Sequence, residues 1–259
     1  MDLSPRLARL AEAVPADTVL ADVGTDHAYL PVALVKAGKI DRAIATDVHQ
    51  GPAEAARQHV KAYGVDSKIK VRLGDGLKPI KAGEVETLVI AGMGGGTILK
   101  ILQEGVQADK VDQLKRMVLQ PLEGATELRK WLLQRGWKII EEDLIEEGKR
   151  IYEVIVLEQS FLEQDIKEGF EKENRTKSTK LSMKEFAIDE SIQWLLGPRL
   201  LEKKHKLLIP MIEKHIIKEQ RALSGMQAGR NVAKHALEAK EKRINDLEEV
   251  KKWLLPAEE

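Results

Sequence analysis

Cysteine is absent from this sequence, which excludes a disulfide framework, a thiolate nucleophile and a cysteine metal site, and fits a reducing compartment. An excess of charge of either sign is also missing, because 42 Lys and Arg balance 42 Asp and Glu. Residues 161–259 carry 20 basic against 18 acidic side chains and the first 160 carry 22 against 24. That asymmetry is too small to mark a nucleic-acid face, which needs clustered cations. No stretch reaches the roughly 18 uninterrupted apolar residues that span a bilayer. The start, Met1 to Leu10, lacks the apolar core of a secretory signal. His205 and His215 do not have the i, i+4 spacing of a zinc helix, so no metal is expected. These absences point to a cytoplasmic protein without a membrane partner, expected to act as a monomer. At 259 residues the chain has room for one α/β domain plus a smaller appendage.

What is present is an alternation of strand and helix patterns. Ser4 and Pro5 start a helix, with Ser as cap and Pro in the first turn, and Leu7, Leu10, Ala11 and Val14 follow at helical spacing. Strands are expected near 18–23, 42–47, 69–73, 85–90 and 117–121, with helices near 28–37, 51–63, 95–104 and 124–135. Such alternation implies a parallel sheet covered on both faces. After Gly136 the pattern changes: 137–145 and 150–157 read as an antiparallel hairpin that closes the sheet. The polar segment Glu171–Lys180 within 160–190 reads as an exposed linker. Beyond it, a charged helical run opens at Gly197-Pro198 and continues to Leu223, with Pro210 expected to kink or split it. A break over 224–229 precedes a second run to Leu255, in which Leu237, Ile244, Leu247 and Leu254 fall at heptad-like positions, so the two runs are expected to pack as an antiparallel hairpin. The domains are thus expected at 1–160 and 161–259.

The run Leu20-Ala-Asp22-Val-Gly24-Thr-Asp26-His27-Ala-Tyr29-Leu-Pro31 places an acid and a glycine turn between an apolar strand and a helix, where a nucleoside-like cofactor is held. A second strand ends in Asp47, at the spacing of a carboxylate that grips ribose hydroxyls. A third ends in Asp75-Gly76, suited to an adenine amine with support from the Gly76 amide. The first turn departs from the dinucleotide template, since Asp26 and Tyr29 stand where G-x-G-x-x-G requires glycine. A pyrophosphate would be repelled there. S-adenosylmethionine, which has no phosphate and carries a sulfonium cation, tolerates the acids. After the fourth strand, Gly92-Met93-Gly-Gly-Gly96 leaves space for a flat substrate beside the cofactor, or is simply shaped for chain reversal.

These motifs, Leu3-Ser-Pro-Arg6-Leu7, Ala21 to Pro31, Gly74-Asp75-Gly76, Ile90 to Gly95, Leu119-Gln120-Pro121 and Tyr152-Glu-Val154, closely resemble the bacterial tRNA adenine-N1 methyltransferase family that acts on adenine 22. The resemblance covers essentially the whole chain. It implies a class I methyltransferase domain of Rossmann-like architecture with a helical, coiled-coil-like extension, S-adenosylmethionine as cofactor and tRNA as partner. Adenine N1 already has an available lone pair, so the reaction calls mainly for alignment and water exclusion. A carboxylate near N1 or N6 would stabilise the charge that develops on the ring. Asp26 is the candidate for that role, with a helix cap as its alternative. Asp22 and Gly24 would position the turn and the methionine part of the cofactor, and Met93 would border cofactor or base. Gln120 would hydrogen-bond in the same cleft. His27 is assigned to orientation or stacking and Tyr29 to the substrate mouth. Arg6 is placed on a cofactor carboxylate or a tRNA phosphate because the resemblance includes it. On the helical extension, Lys203, Lys204, Lys206, Lys214, Lys218 and Arg221 are candidate tRNA contacts, interleaved with Glu202, Glu213 and Glu219. Two other readings stay open: methylation of another RNA or a small substrate, and an RNA-binding relative without catalysis.

Overall fold

The first helix forms where the sequence places it. Ser4 Oγ accepts the Leu7 amide at 3.4 Å, Pro5 occupies the first turn, and α1 (Pro5–Ala13) buries Leu10 and Ala13. The computed structural model describes residues 2–159, 188–228 and 233–255. After α1 come β1 (Val19–Val23), α2 (Tyr29–Lys36), β2 (Arg42–Asp47), α3 (Gln50–Ala62), β3 (Ile69–Leu73), β4 (Thr87–Met93), α4 (Gly95–Gln107), β5 (Arg116–Pro121), α5 (Ala125–Gln134), β6 (Trp137–Glu147) and β7 (Arg150–Gln159). They build one seven-stranded sheet of order β3-β2-β1-β4-β5-β7-β6. The pairs from β3 through β5 are parallel, whereas β7 runs antiparallel to both β5 and β6.

Consecutive residues Leu20, Ala21, Asp22 and Val23 of β1 are all buried, as a strand covered on both faces requires. Leu10 and Val14 near α1, Leu34 and Val35 of α2 and Val60 of α3 form one core cluster with Val89, Val118, Val154 and Val156 of the sheet. Ile98 and Leu102 of α4 and Leu128 and Leu132 of α5 are fully buried as well. Strand order reverses between β1 and β4, and ligands of open α/β sheets sit at the carboxyl ends of the strands beside such a reversal.

One strand is longer than its pattern suggests. β4 was expected to stop near 90, yet it continues to Met93 through a register shift between Ala91 and Met93. Gly92, at φ +75°, is the residue in the bulge, a conformation that glycine adopts without steric cost. Bulges of this kind re-aim a strand end beside an active site.

The chain divides into two compact units, Met1–Ser160 and Phe161–Glu259. In the second, α6 (Glu190–Leu196), α7 (Pro198–Glu202), α8 (Leu208–Gln227) and α9 (Lys234–Leu254) are described. Glu219 of α8 pairs with Lys240 and Arg243 of α9, whereas the earlier Glu213 pairs with the later Lys251. The two helices are therefore antiparallel. Ile212 and Ile216 of α8 and Ile244, Leu247 and Val250 of α9 are buried. The single run expected from Gly197 is divided, but not by a kink at Pro210. The division falls over Lys203–Leu207, where Lys204 has φ +45°. Pro210 lies in the first turn of α8, where a missing N–H breaks no helical bond. Helix α8 also runs on through the expected break to Gln227. The linker at 171–180 lies outside the described residues.

Candidate active site at the carboxyl ends of β1 and β4

The chain leaves β1 through three left-handed residues within five: Gly24 at φ +74°, Asp26 at +56° and Ala28 at +56°. The path is secured by sewing the turn to β2. The amides of Gly24 and Thr25 both donate to the Thr46 carbonyl, at 2.8 and 2.9 Å, and the Asp26 amide donates to Asp47 Oδ2 at 3.2 Å. These three amides are spent on the fold and are not offered to a ligand. A Cβ on Gly24 would collide with Cε of Met93. Met93 thus closes over the glycine and joins the β1 turn to the β4 bulge at the strand-order reversal.

Asp22 is buried and accepts the Thr25 hydroxyl at 2.5 Å. Burial pushes its carboxyl up to about 6, against the lowering effect of the Thr25 bond and with a further rise from Asp47. Asp47, likewise buried, accepts the amides of Asp26 and, at 2.9 Å, His49. No lysine or arginine among the described residues pairs with either carboxylate. Two acids are thus held in the interior without a counter-cation, an arrangement suited to a cationic, hydroxyl-bearing ligand.

Asp26 is not a helix cap. Ala28 occupies that position without a side-chain bond. The Asp26 side chain is 70% exposed, with His27 Nε2 3.6 Å away. Tyr29 is 43% exposed and its ring meets His27 at 5.5 Å. Val48 after β2, Leu73 at the end of β3 and Leu122 after β5 are exposed apolar side chains, and Leu122 donates its amide to the Met93 carbonyl at 2.8 Å. They leave apolar surface exposed at the carboxyl edge of the sheet.

Arg6 reaches the same edge from α1. Its Nη1 donates to Gln120 Oε1 at 3.2 Å, its guanidinium lies 5.4 Å over the Tyr152 ring, and its amide donates to Glu147. Gln120 Oε1 also accepts the Gly92 amide at 3.2 Å, which fixes Arg6 beside the β4 bulge. Nothing stands within 4 Å of the space above Gly92. Gly95, by contrast, packs directly on the backbone of Glu123 and Gly124, so the glycine segment serves both openness and close packing. Asp75 stands apart from the β1 turn in its bonding: its carboxylate is paired with Lys78 at 2.6 Å, which draws it below the usual carboxylate range. Gly76 packs against Ile101 and its carbonyl accepts the Thr46 hydroxyl.

Sequence reasoning missed Thr25, Thr46 and His59. The first two are ordinary strand-end residues until the turn is folded. His59 Nδ1 donates to the His27 carbonyl at 2.7 Å, and only its i, i+4 spacing to Tyr63, which caps the carboxyl end of α3, hinted at a shared surface.

The strand order, the antiparallel β7 and the acid-lined turn at β1 define a Rossmann-like methyltransferase fold. Residues 3–155 match the family model described as a methyltransferase domain. A curated Bacillus subtilis protein, tRNA (adenine(22)-N(1))-methyltransferase, is 43% identical over 158 residues, which cover 61% of this chain. The chain spans just under two thirds, 66%, of that relative. The crystal structure of the B. subtilis M1A22 tRNA methyltransferase TrmK aligns with a TM-score of 0.80 at 32% identity over 96% of this chain and 99% of that one. A Streptococcus pneumoniae structure in complex with S-adenosyl-L-methionine aligns at 0.77 and 31% identity over 96% and 100%. The chain belongs to the methyltransferase-domain family and, within it, to the group that contains B. subtilis TrmK.

Among the described residues no helix is long and apolar enough to cross a membrane, and no group of His, Asp and Glu is arranged to hold a metal ion.

Proposed function

We propose that this chain transfers the methyl group of S-adenosylmethionine to N1 of adenine 22 in tRNA. The observation that carries the reading is the pair of buried, cation-free carboxylates, Asp22 and Asp47, beside the exposed carboxylate of Asp26 at the strand-order reversal. Bound there, S-adenosylmethionine supplies an electrophilic methyl carbon on a positively charged sulfur. Asp47 holds the ribose hydroxyls through lone pairs that its two amide bonds leave over, and Asp22, fixed by Thr25, carries the charge that complements the sulfonium. Val48 and Leu73 provide apolar surface for the adenine of the donor. Asp75 reaches its amine once the surface pair with Lys78 opens.

The target base enters between Tyr29 and the space over Gly92. Met93 and Gly24 keep the backbones of β1 and β4 close, so that nitrogen, methyl carbon and sulfur line up. The lone pair of N1 forms the new N–C bond as the C–S bond breaks with its electrons to sulfur, and the positive charge passes to the base. Asp26 stabilises that charge at the mouth of the site, and no general base is needed. His27 orients the Asp26 carboxylate, while Arg6 holds a phosphate of the RNA or the carboxylate of the donor. In the helical unit Glu213 and Glu219 are paired with cations of α9, which favours Lys218 and Arg221 of α8 as contacts to the tRNA backbone. A single chain carries out the reaction in the cytoplasm, where tRNA is matured.

The test is methyl transfer from labelled donor to tRNA with adenine or guanine at position 22. Only the adenine tRNA is expected to be labelled, and labelling of both or of neither overturns the assignment. Asp26→Asn, which tolerates positive φ, is expected to lower kcat about 100-fold, the size seen when one charge-stabilising group is removed, at unchanged affinity for the donor. Binding of the donor by wild type without turnover would instead support a catalytically silent relative.

A further inference from the structure

Four aromatic rings form an unbroken line from the mouth of the site onto α3. His27 meets Tyr29 at 5.5 Å, Tyr29 meets the His59 ring at 4.7 Å, and His59 meets Tyr63 at 4.8 Å. The last two pairs are inclined at 64° and 74°, so these rings do not lie flat on one another. Tyr29 and Tyr63 remain 43% and 39% exposed, whereas rings that serve only to knit α2 to α3 would be covered. The His59 bond to the His27 carbonyl ties the line to the turn that carries Asp26. Exposed aromatic rings that continue from the mouth of a nucleic-acid site are a surface on which unpaired nucleotides stack.

We infer that His59 and Tyr63, continuing from Tyr29, form a stacking track for the unpaired nucleotides that flank the target adenine. The inference rests on the reading of the site as an RNA methyltransferase. An adenine extruded from a folded RNA leaves its neighbours unstacked, at a cost of a few kcal/mol. The rings beyond the mouth recover part of that stacking outside the reaction centre.

The test uses the full chain and its Tyr63→Ala and Tyr63→Phe variants. Tyr63→Ala is expected to raise KM for tRNA about 5- to 10-fold, with kcat, donor affinity and Tm close to wild type, and Tyr63→Phe is expected to restore KM. A single-stranded oligoribonucleotide containing 2-aminopurine provides a second readout: its fluorescence is expected to be quenched by wild type and Tyr63→Phe, and not by Tyr63→Ala. Unchanged KM and quenching in Tyr63→Ala, or a rise in KM that follows a fall in Tm, overturns the track. Unchanged RNA binding together with altered self-association assigns the rings to a protein contact and overturns it too. Quenching that depends on Tyr63 in a chain that labels no tRNA retains the track and removes the methyltransferase reading.

Discussion

Two sets of carboxylates, Glu142 buried with Glu153 half-buried at one place along the sheet and Asp22 and Asp47 buried at another, are treated in opposite ways. At β6 and β7, Glu142 and Glu153 flank the fully buried Arg129, which donates to each at 2.6 Å. Burial works against the arginine's charge, yet the two carboxylates hold its pKa above the ordinary value. At β1 and β2, Asp22 and Asp47 are met by a hydroxyl and backbone amides alone, and Asp22 is pushed up to about 6. The fold neutralises one set internally and leaves the other without a cation. The first ties α5 to the hairpin; the second is the pair that the proposed function assigns to a cationic ligand.

The largest effect is expected where the internal cation is removed. Arg129→Met takes from the fully buried Glu142 the cation it pairs with, a change that costs about 3–5 kcal/mol and lowers Tm by roughly 10 °C. Thermal unfolding followed by circular dichroism checks it. A loss below about 1 kcal/mol would show that the hairpin cluster is not held together by its charge and would erase the contrast.

A smaller effect of opposite sign is expected at the cation-free set. The unfolded chain releases the Asp22 proton near 3.8 and the folded chain retains it to about 6. Between these values the folded state binds more protons, so wild-type stability falls as pH rises, by up to roughly 3 kcal/mol. Asp22→Asn keeps an oxygen for Thr25 but has no charge to bury. The variant is expected to lose that slope and to be more stable than wild type at pH 8, while binding S-adenosylmethionine more weakly. Urea unfolding from pH 4 to 8 measures the slope, and an identical slope in both proteins would remove the assigned cost of the Asp22 charge.

The sheet was legible in the sequence because its strands are short apolar runs ending in acid or glycine, and the change after Gly136 marked the antiparallel end. The β4 bulge was not, since a residue inserted at Gly92 depends on pairing with β5 that no local pattern encodes. Asp22, Asp26 and Asp47 were visible as strand-end acids. The alternative role of Asp26 as a cap fell only with the backbone, because the left-handed Ala28 takes the cap position. Asp75 looked equivalent to the other acids by spacing, yet Lys78 one turn later offers it a partner that Asp22 and Asp47 lack. In the helical unit, Pro210 was read as an interruption because composition shows a proline in a helical run, and not that a new helix begins two residues before it.

The smallest effect belongs to a carboxylate with a cation of its own but near solvent. Glu84 receives two bonds from Arg72, at 2.6 and 2.7 Å, which draw its carboxyl down to about 2 despite the opposing effect of burial. The stabilisation is fully present above the ordinary glutamate value of 4.5 and is lost as pH falls through about 2. Both side chains are more than a quarter exposed, so water and salt screen the pair and its worth is about 1 kcal/mol. Arg72→Gln is expected to lower stability by that amount at pH 7, with the difference from wild type narrowing from pH 5 downward and in high salt, as measured by urea unfolding. A loss as large as that of Arg129→Met would mean that burial does not set the scale. The Asp22 carboxyl would then owe its rise to something other than the interior it occupies.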